Sequence, residues 1–257
     1  MTQEERIVRL IAALLEERGE KAGPGDFGDE KSRRELLRAL FNTRPPWPFS
    51  PAFLELQDAF LQEERNRRGV TSAASIPFVR GRLCLWQGDI TLLACDAVVN
   101  AANSAMLGCF RPGHHCIDNA IHTFAGVQLR LFCARMMEEQ GHPERTGGAK
   151  ITPAFNLPSR HVIHTVGPIV NGPPSAEDER LLASCYSSCL ALAAQNGVET
   201  LAFCCISTGV FGFPQKEAAD IAVRTVAERL GEYPSIRKVV FNVFRNSDLE
   251  IYRRLLG

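Results

Sequence analysis

The sequence predicts an α/β fold: a largely parallel sheet covered by helices on both faces, preceded by a helical N-terminal extension. Three observations carry that prediction. From about residue 76, short β-rich runs alternate with stretches whose apolar residues recur at helical spacing, the pattern of strand–helix–strand units. Residues 1–70, by contrast, read as helical throughout. The 257 residues are 45% hydrophobic and 23% charged, a globular composition that excludes a disordered or collagen-like chain and suits one large domain, or a smaller domain with an appendage.

In chain order, Ile7, Leu10, Ile11, Leu14 and Leu15 form one helical stripe before Gly19, and Leu36, Leu37, Leu40 and Phe41 form a second before Arg44-Pro45-Pro46-Trp47-Pro48. A third helix runs through Phe53, Leu54, Leu56, Phe60 and Leu61. Charges in this segment balance, so residues 1–75 are predicted to be a helical layer packed on the main domain, not a nucleic-acid arm. In the main domain, residues 76–257, strands are predicted at 78–86, 97–100, 162–166, 200–206 and 238–244. Leu181, Cys185, Cys189 and Leu192 make one helical stripe between them. Ala218, Ile221, Ala222, Thr225, Val226 and Leu230 make another, with Pro214 at its first helical position. Parallel sheets of this kind bind ligands at the carboxyl ends of their strands, which directs attention to the loops that follow strands.

Equal numbers of basic and acidic residues, 29 each, leave no long-range positive field to gather nucleic acid or anionic membrane, so a polyanion must be held locally. No apolar run approaches the 18 or more residues of a membrane span. An acidic start, Met1-Thr2-Gln3-Glu4-Glu5, differs from a secretory or transit leader and predicts a soluble, cytoplasmic protein. Nine cysteines, an odd count without framework spacing and with Cys204-Cys205 adjacent in an apolar run, predict buried thiols and a metal site rather than disulfides.

Ser207-Thr208-Gly209-Val210-Phe211-Gly212-Phe213-Pro214 lies between a predicted strand and helix, where glycines and a helix N-terminus allow backbone N–H groups to meet phosphate oxygens. It lacks the Lys of a nucleotide-hydrolysing loop. Asp89, in Gly88-Asp89-Ile90-Thr91, has the chemistry to accept from a base amine, and Asn103, in Asn100-Ala101-Ala102-Asn103, to bond ribose hydroxyls with both amide groups. The loop running from Met106 to His122 is the most informative. Cys109, His114, His115 and Cys116 supply thiolate and imidazole ligands suited to Zn²⁺; any three of them would leave a coordination position open, as catalytic sites require. The spacing is not that of a zinc finger. His122, His161 and His164 are expected to be packing and hydrogen-bonding histidines, and Met106, Met136 and Met137 to fill gaps in the core.

Taken in order, Gly88 to Thr91, Asn100 to Asn103, Asp118-Asn119-Ala120-Ile121-His122, Gly148 to Pro168 and Ser207 to Pro214 resemble the successive signatures of the macrodomain family, which binds ADP-ribose, over about residues 77–257. Where common macrodomains carry a glycine-rich loop after the Asn pair, this chain has Gly108-Cys109-Phe110-Arg111-Pro112-Gly113-His114-His115-Cys116. In that it is similar to the zinc-containing subclass, which also has a helical N-terminal extension. The resemblance implies a three-layer α-β-α macrodomain with a mixed, mostly parallel sheet, and a Zn²⁺-dependent hydrolase that removes ADP-ribose from Asp and Glu side chains of mono-ADP-ribosylated proteins. It further implies a functional link, in microbes, to a sirtuin-type ADP-ribosyltransferase that writes the mark. Carried onto this sequence, it places adenine against Asp89 and Ile90 with Phe244 as ring partner, and the diphosphate on Ser207, Thr208, Gly209, Val210, Phe211, Gly212 and Phe213. The distal ribose falls near Asn103, with Asp118 and Asn103 as the catalytic pair. The metal ligands become Cys109, His114 and Cys116, with no ligand role for His115. A different class of protein, a non-catalytic reader of ADP-ribosylated proteins with a structural zinc, would call for a fourth protein ligand closing the coordination sphere.

Overall fold

The computed structural model describes residues 1–21 and 23–257. Three helices come first. In α1 (Gln3–Glu16), Thr2 Oγ1 accepts from the Glu5 N–H at 3.2 Å and the Glu5 carboxylate accepts from the Thr2 N–H at 2.8 Å, a capping box that satisfies two otherwise orphaned donors. Helix α2 (Glu30–Thr43) is capped by Asp29 and α3 (Pro51–Arg68) by Ser50, with Pro51 opening α3 where its missing N–H costs nothing. Ile7, Leu10, Ile11, Leu37, Leu40, Phe41, Phe60 and Leu61 bury one another in a core of their own, to which Val127 of the main domain adds.

The main sheet has seven strands in the order β2 (Phe78–Arg80), β3 (Leu83–Gln87), β9 (Lys238–Val243), β8 (Thr200–Phe203), β5 (Ala97–Ala102), β7 (His161–Val166) and β6 (Ala149–Pro153). The five inner strands are parallel and the two edges antiparallel. A separate two-residue parallel pair joins β1 (Thr71–Ser72) to β4 (Leu93–Ala94). Helices α4 (Ile117–Ala125) and α5 (Val127–Gln140) form one group, and α6 (Ala176–Gln195), α7 (Gln215–Arg229) and α8 (Asn246–Leu256) pack side by side in another. The result is the three-layer mixed α/β fold, and its core includes the fully buried Val98, Val99, Val162, Ile163, Leu201, Val239 and Val240. No helix among the described residues is long and apolar enough to cross a membrane.

Several predicted elements change. The single strand at 78–86 is a hairpin, because Gly81 adopts φ +57° and reverses the chain between β2 and β3. The strand predicted at 200–206 stops at Phe203. Residues 117–122, read as loop, are the start of α4, and Pro214 is the N-cap of α7 rather than its first helical residue. In α6 the stripe turns by one position: Leu182, Tyr186, Leu190 and Ala193 join Cys185 and Cys189 in the core, while Leu181 and Leu192 are half-buried. Met106 and His164 are fully buried, as expected.

Candidate active site

At the carboxyl ends of β3, β5, β8 and β9 a cleft of about 1160 Å³ opens, lined by Asp89 and Ile90 after β3, Asn103 after β5, the Cys109–Cys116 loop, Cys204, Cys205 and residues 207–211 after β8 and Phe244 after β9. Parallel strands bring these loops, distant in sequence, to one edge of the sheet.

The loop after β8 bends sharply because Ser207 sits at φ +64° and Gly212 at φ +72°. Its own carbonyls close it: the Phe213 N–H donates to Ser207 O at 3.0 Å and the Gly212 N–H to Gly209 O at 3.1 Å. Among the described residues, no acceptor takes the N–H groups of Thr208, Gly209, Val210 or Phe211. A run of unpartnered N–H groups beside a cleft is an anion-binding concavity. Two residues assigned to the diphosphate lie elsewhere. Phe213 is 1% exposed and belongs to the hydrophobic core, and Gly212 faces the Val170 carbonyl, so both support the loop from behind and do not line the cleft.

Asp89 is already engaged. Oδ1 accepts from the Thr91 N–H at 2.9 Å and its hydroxyl at 2.6 Å, capping a short 3₁₀ turn, and Oδ2 is paired with the guanidinium of Arg68, which lies over the Phe124 ring at 4.1 Å. One lone pair of Oδ2 remains for a base amine. Ile90 is 2% exposed and forms the floor of this end, whereas Phe244 is 75% exposed above it.

Asp118 lies in the first turn of α4 and is buried. Asn100 Nδ2 donates to Oδ1 at 2.8 Å and Asn103 Nδ2 to Oδ2 at 3.3 Å. Burial pushes its carboxyl up to about 6, against the opposing pull of Asn100, the Arg130 charge and Asn103. Asn103 differs from its expected posture: Oδ1 accepts from the Ala105 N–H and Nδ2 also donates to Gly108 O, so the amide braces the turn, and one Oδ1 lone pair is left for a ribose hydroxyl. Asn100 donates its second amide hydrogen to His164 Nδ1 at 3.1 Å, and Nε2 of that neutral ring donates to Thr152 Oγ1 at 3.0 Å.

Cys109 Sγ and His114 Nδ1 lie 3.4 Å apart, and with Cys116 Sγ all three ligand atoms fall within 4.8 Å of one another on a half-buried loop. Two sulfurs and one imidazole nitrogen, converging without a fourth ligand among the described residues, fit a Zn²⁺ site of the open type. His115 lines the cleft outside the cluster. Cys116 also caps α4, accepting from the Asn119 N–H, and burial pushes its thiol up to about 12. A bound dication reverses such a preference, since thiolate is the ligating form. Behind the cleft His122, Cys133 and His164 form a second, fully buried cluster, but both nitrogens of His164 are engaged as described.

Arg38, Arg68, Phe124 and Arg130 also build this site and are not identified from the sequence, and Asn100, quoted there as part of a motif, is given no role of its own. Arg38 and Arg68 come from the N-terminal layer, and no local motif marks them.

An open, mostly parallel sheet with free N–H groups over a cleft at its carboxyl edge defines an α/β protein built to bind a phosphate-bearing ligand. Residues 99–222 match the Macro domain family. The chain is 54% identical, over all of both chains, to the protein-ADP-ribose hydrolase of Treponema medium. It is 53% identical to that of Staphylococcus aureus strain MSSA476, over 85% of this chain and 83% of the relative. The structure of the Trypanosoma brucei macrodomain in complex with ADP-ribose superposes with a TM-score of 0.67 at 29% identity, over 86% of this chain and 95% of that one. The chain belongs to the Macro domain family.

Proposed function

We propose that this chain is a zinc-dependent hydrolase that releases ADP-ribose from ester linkage to Asp and Glu side chains of mono-ADP-ribosylated proteins. One observation carries the reading: the Cys109, His114, Cys116 cluster and the buried Asp118 line the same cleft as the unpartnered N–H groups of the loop after β8. The relatives named protein-ADP-ribose hydrolases support the hydrolase part of it. The mark itself we assign to a sirtuin-type ADP-ribosyltransferase, on resemblance alone.

In this reading the N–H groups of residues 208–211 hold the diphosphate, and Asp89, Ile90 and Phe244 hold adenine. Anchoring both presents the ester on the distal ribose to Asp118 as an intramolecular reaction. Asn100 and Asn103 fix the Asp118 carboxylate, which takes a proton from the attacking water. Water supplies the new C–O bond, one ester C–O bond breaks, and the target's carboxylate and free ADP-ribose leave. Zn²⁺ bound by Cys109, His114 and Cys116 would supply Lewis acidity toward an ester oxygen or water.

The test is elemental analysis combined with single-turnover release from Asp/Glu-modified protein. We expect one zinc per chain in the parent, loss of both zinc and release in Cys116→Ala, and a much smaller effect in His115→Ala. Full release by metal-free Cys116→Ala overturns the zinc mechanism. Binding without release by the zinc-loaded parent identifies a reader module instead.

A further inference from the structure

The Cys109–Cys116 loop has little internal hydrogen bonding: the His114 N–H donates to Arg111 O at 3.2 Å, and most of its other polar contacts come from outside it. Two of those come from α2, and Asn119 of α4, which supplies others, is itself held by α2. Asn42 Oδ1 accepts from the Gly113 N–H at 2.9 Å, and Asn42 Nδ2 donates to Thr123 Oγ1 of α4 at 2.8 Å. Arg38 Nη2 donates to His114 O at 3.2 Å and to Asn119 Oδ1 at 3.0 Å. Asn119, so held, donates to Arg111 O at 3.0 Å and to Cys109 O at 3.5 Å. The loop's entry is tied to the same helix by the buried Arg130, whose Nε donates to Leu107 O at 2.7 Å while Nη1 donates to Phe41 O and Arg44 O at the end of α2. Arg130 also lies 4.3 Å from the ring of Phe110. Backbone groups of Leu107, Cys109, Arg111, Gly113 and His114 are therefore all fastened by side chains that α2 provides or orients.

This bracing has a cost that packing alone does not require. Arg38 Nε is buried with no acceptor, and leaving a buried donor unpaired is unfavourable. A leucine at this position would avoid that cost and would also lose the fork that reaches His114 and Asn119 together.

We propose that helix α2 of the N-terminal layer is the positioning frame of the metal loop, with Arg38 and Asn42 as positioning residues that hold Cys109, His114 and Cys116 in ligating array before the ion arrives. The inference rests on the zinc reading above for its function, but the frame itself is a property of the metal-free chain. A loop ordered in advance binds its ion without the entropic cost of ordering at that moment. Partners that orient metal ligands typically contribute 10–100-fold in metal affinity.

The experiment compares the full-length parent with Arg38→Ala, Arg38→Lys and Asn42→Ala. Zn²⁺ affinity is measured by competition with a chromophoric chelator, and amide hydrogen exchange of residues 108–119 is followed in metal-free protein. We expect Zn²⁺ affinity to fall about 10–100-fold in Arg38→Ala and Asn42→Ala, with faster exchange at Gly113, His114 and Asn119. Arg38→Lys should recover part of the affinity, since it keeps the charge and loses the fork. Free ADP-ribose affinity should stay within about twofold of the parent in Asn42→Ala, because Asn42 lies outside the cleft and its side chain bonds to Gly113 and Thr123. Asn42 is buried; if its variant does not fold, Arg38→Ala decides the matter, since Arg38 is half-exposed. A folded Arg38→Ala chain with unchanged exchange overturns the frame, whether or not the parent binds Zn²⁺. A parent that binds no Zn²⁺, with a loop that loosens in Arg38→Ala, supports the frame and overturns the zinc reading.

Discussion

Gly209 and Gly212 lie in one loop under different constraints. A Cβ on Gly212 would meet Val170 O at 2.6 Å at a φ of +72°, so Gly212→Ala should destabilise the fold by about 1–3 kcal/mol, read as a lowered urea midpoint. A Cβ on Gly209 meets nothing within 4 Å. Gly209→Glu should therefore fold as the parent does, yet lose more than about tenfold in ADP-ribose affinity, because it sets a carboxylate among N–H groups arranged for an anion. Titration calorimetry on the folded variant decides; unchanged affinity removes this loop from the site. The motif around these glycines was legible in the sequence as a phosphate-loop candidate. The division of labour within it was not, because whether Phe213 turns outward or into the core depends on the positive φ of Ser207, a non-glycine that carries no sequence signal for that conformation.

Among elements, the parallel strands were legible where Val and Ile cluster, as at 162–166 and 238–244, which match β7 and β9 closely. The edge strand β6 was not. β6 reads Ala-Lys-Ile-Thr-Pro, with polar residues at two of its five positions, and pairs antiparallel with β7 at the edge of the sheet. α4 was hidden because its N-cap is Cys116, a residue that rarely caps helices, so the ligand loop and the helix run together in the sequence. The 3₁₀ turn after β3 shows how one residue can serve several elements: Asp89 caps it, pairs with Arg68 of α3 and faces the cleft. Asp89→Ala should cost on the order of 1–3 kcal/mol of ADP-ribose binding. Turnover at saturating substrate should hold, since the contact is remote from the ester and common to ground and transition states. Asp89→Asn, which can keep the Thr91 cap, separates loss of the turn from loss of the charge. A collapse of kcat at unchanged affinity would place Asp89 at the chemistry instead of at adenine.

At the scale of the whole molecule, two histidines buried behind the site tie global stability to pH. Burial holds His164 down at about 3, and burial, His164 and the Arg130 charge hold His122 well below its ordinary value. In the unfolded chain both titrate near about 6.5. Below that value the unfolded state binds protons that the folded state refuses, so the stability each ring contributes is complete above about pH 6.5 and is lost as pH falls, for His164 down to about 3. The slope is at most about 1.4 kcal/mol per pH unit for each histidine. Asp118 acts in the opposite direction: its carboxyl, raised to about 6, lets the folded state hold a proton that the unfolded chain has released, so it favours folding as pH falls from about 6 to about 4. Between about pH 6 and pH 4 the contributions of His164 and Asp118 oppose each other, so the net fall in stability there rests on His122, and below about pH 4 the His164 contribution is no longer offset. Metal-free protein is the right sample, since ligand protonation would add its own pH dependence. We expect the urea midpoint to fall steadily below pH 6.5 in the parent. In His164→Gln the fall should be flatter by up to one proton's slope, because the amide can still accept from Asn100 and donate to Thr152 without a group to protonate. A His164→Gln curve parallel to the parent's would show that this ring titrates alike in both states and that its burial does not set the acid limit of the fold.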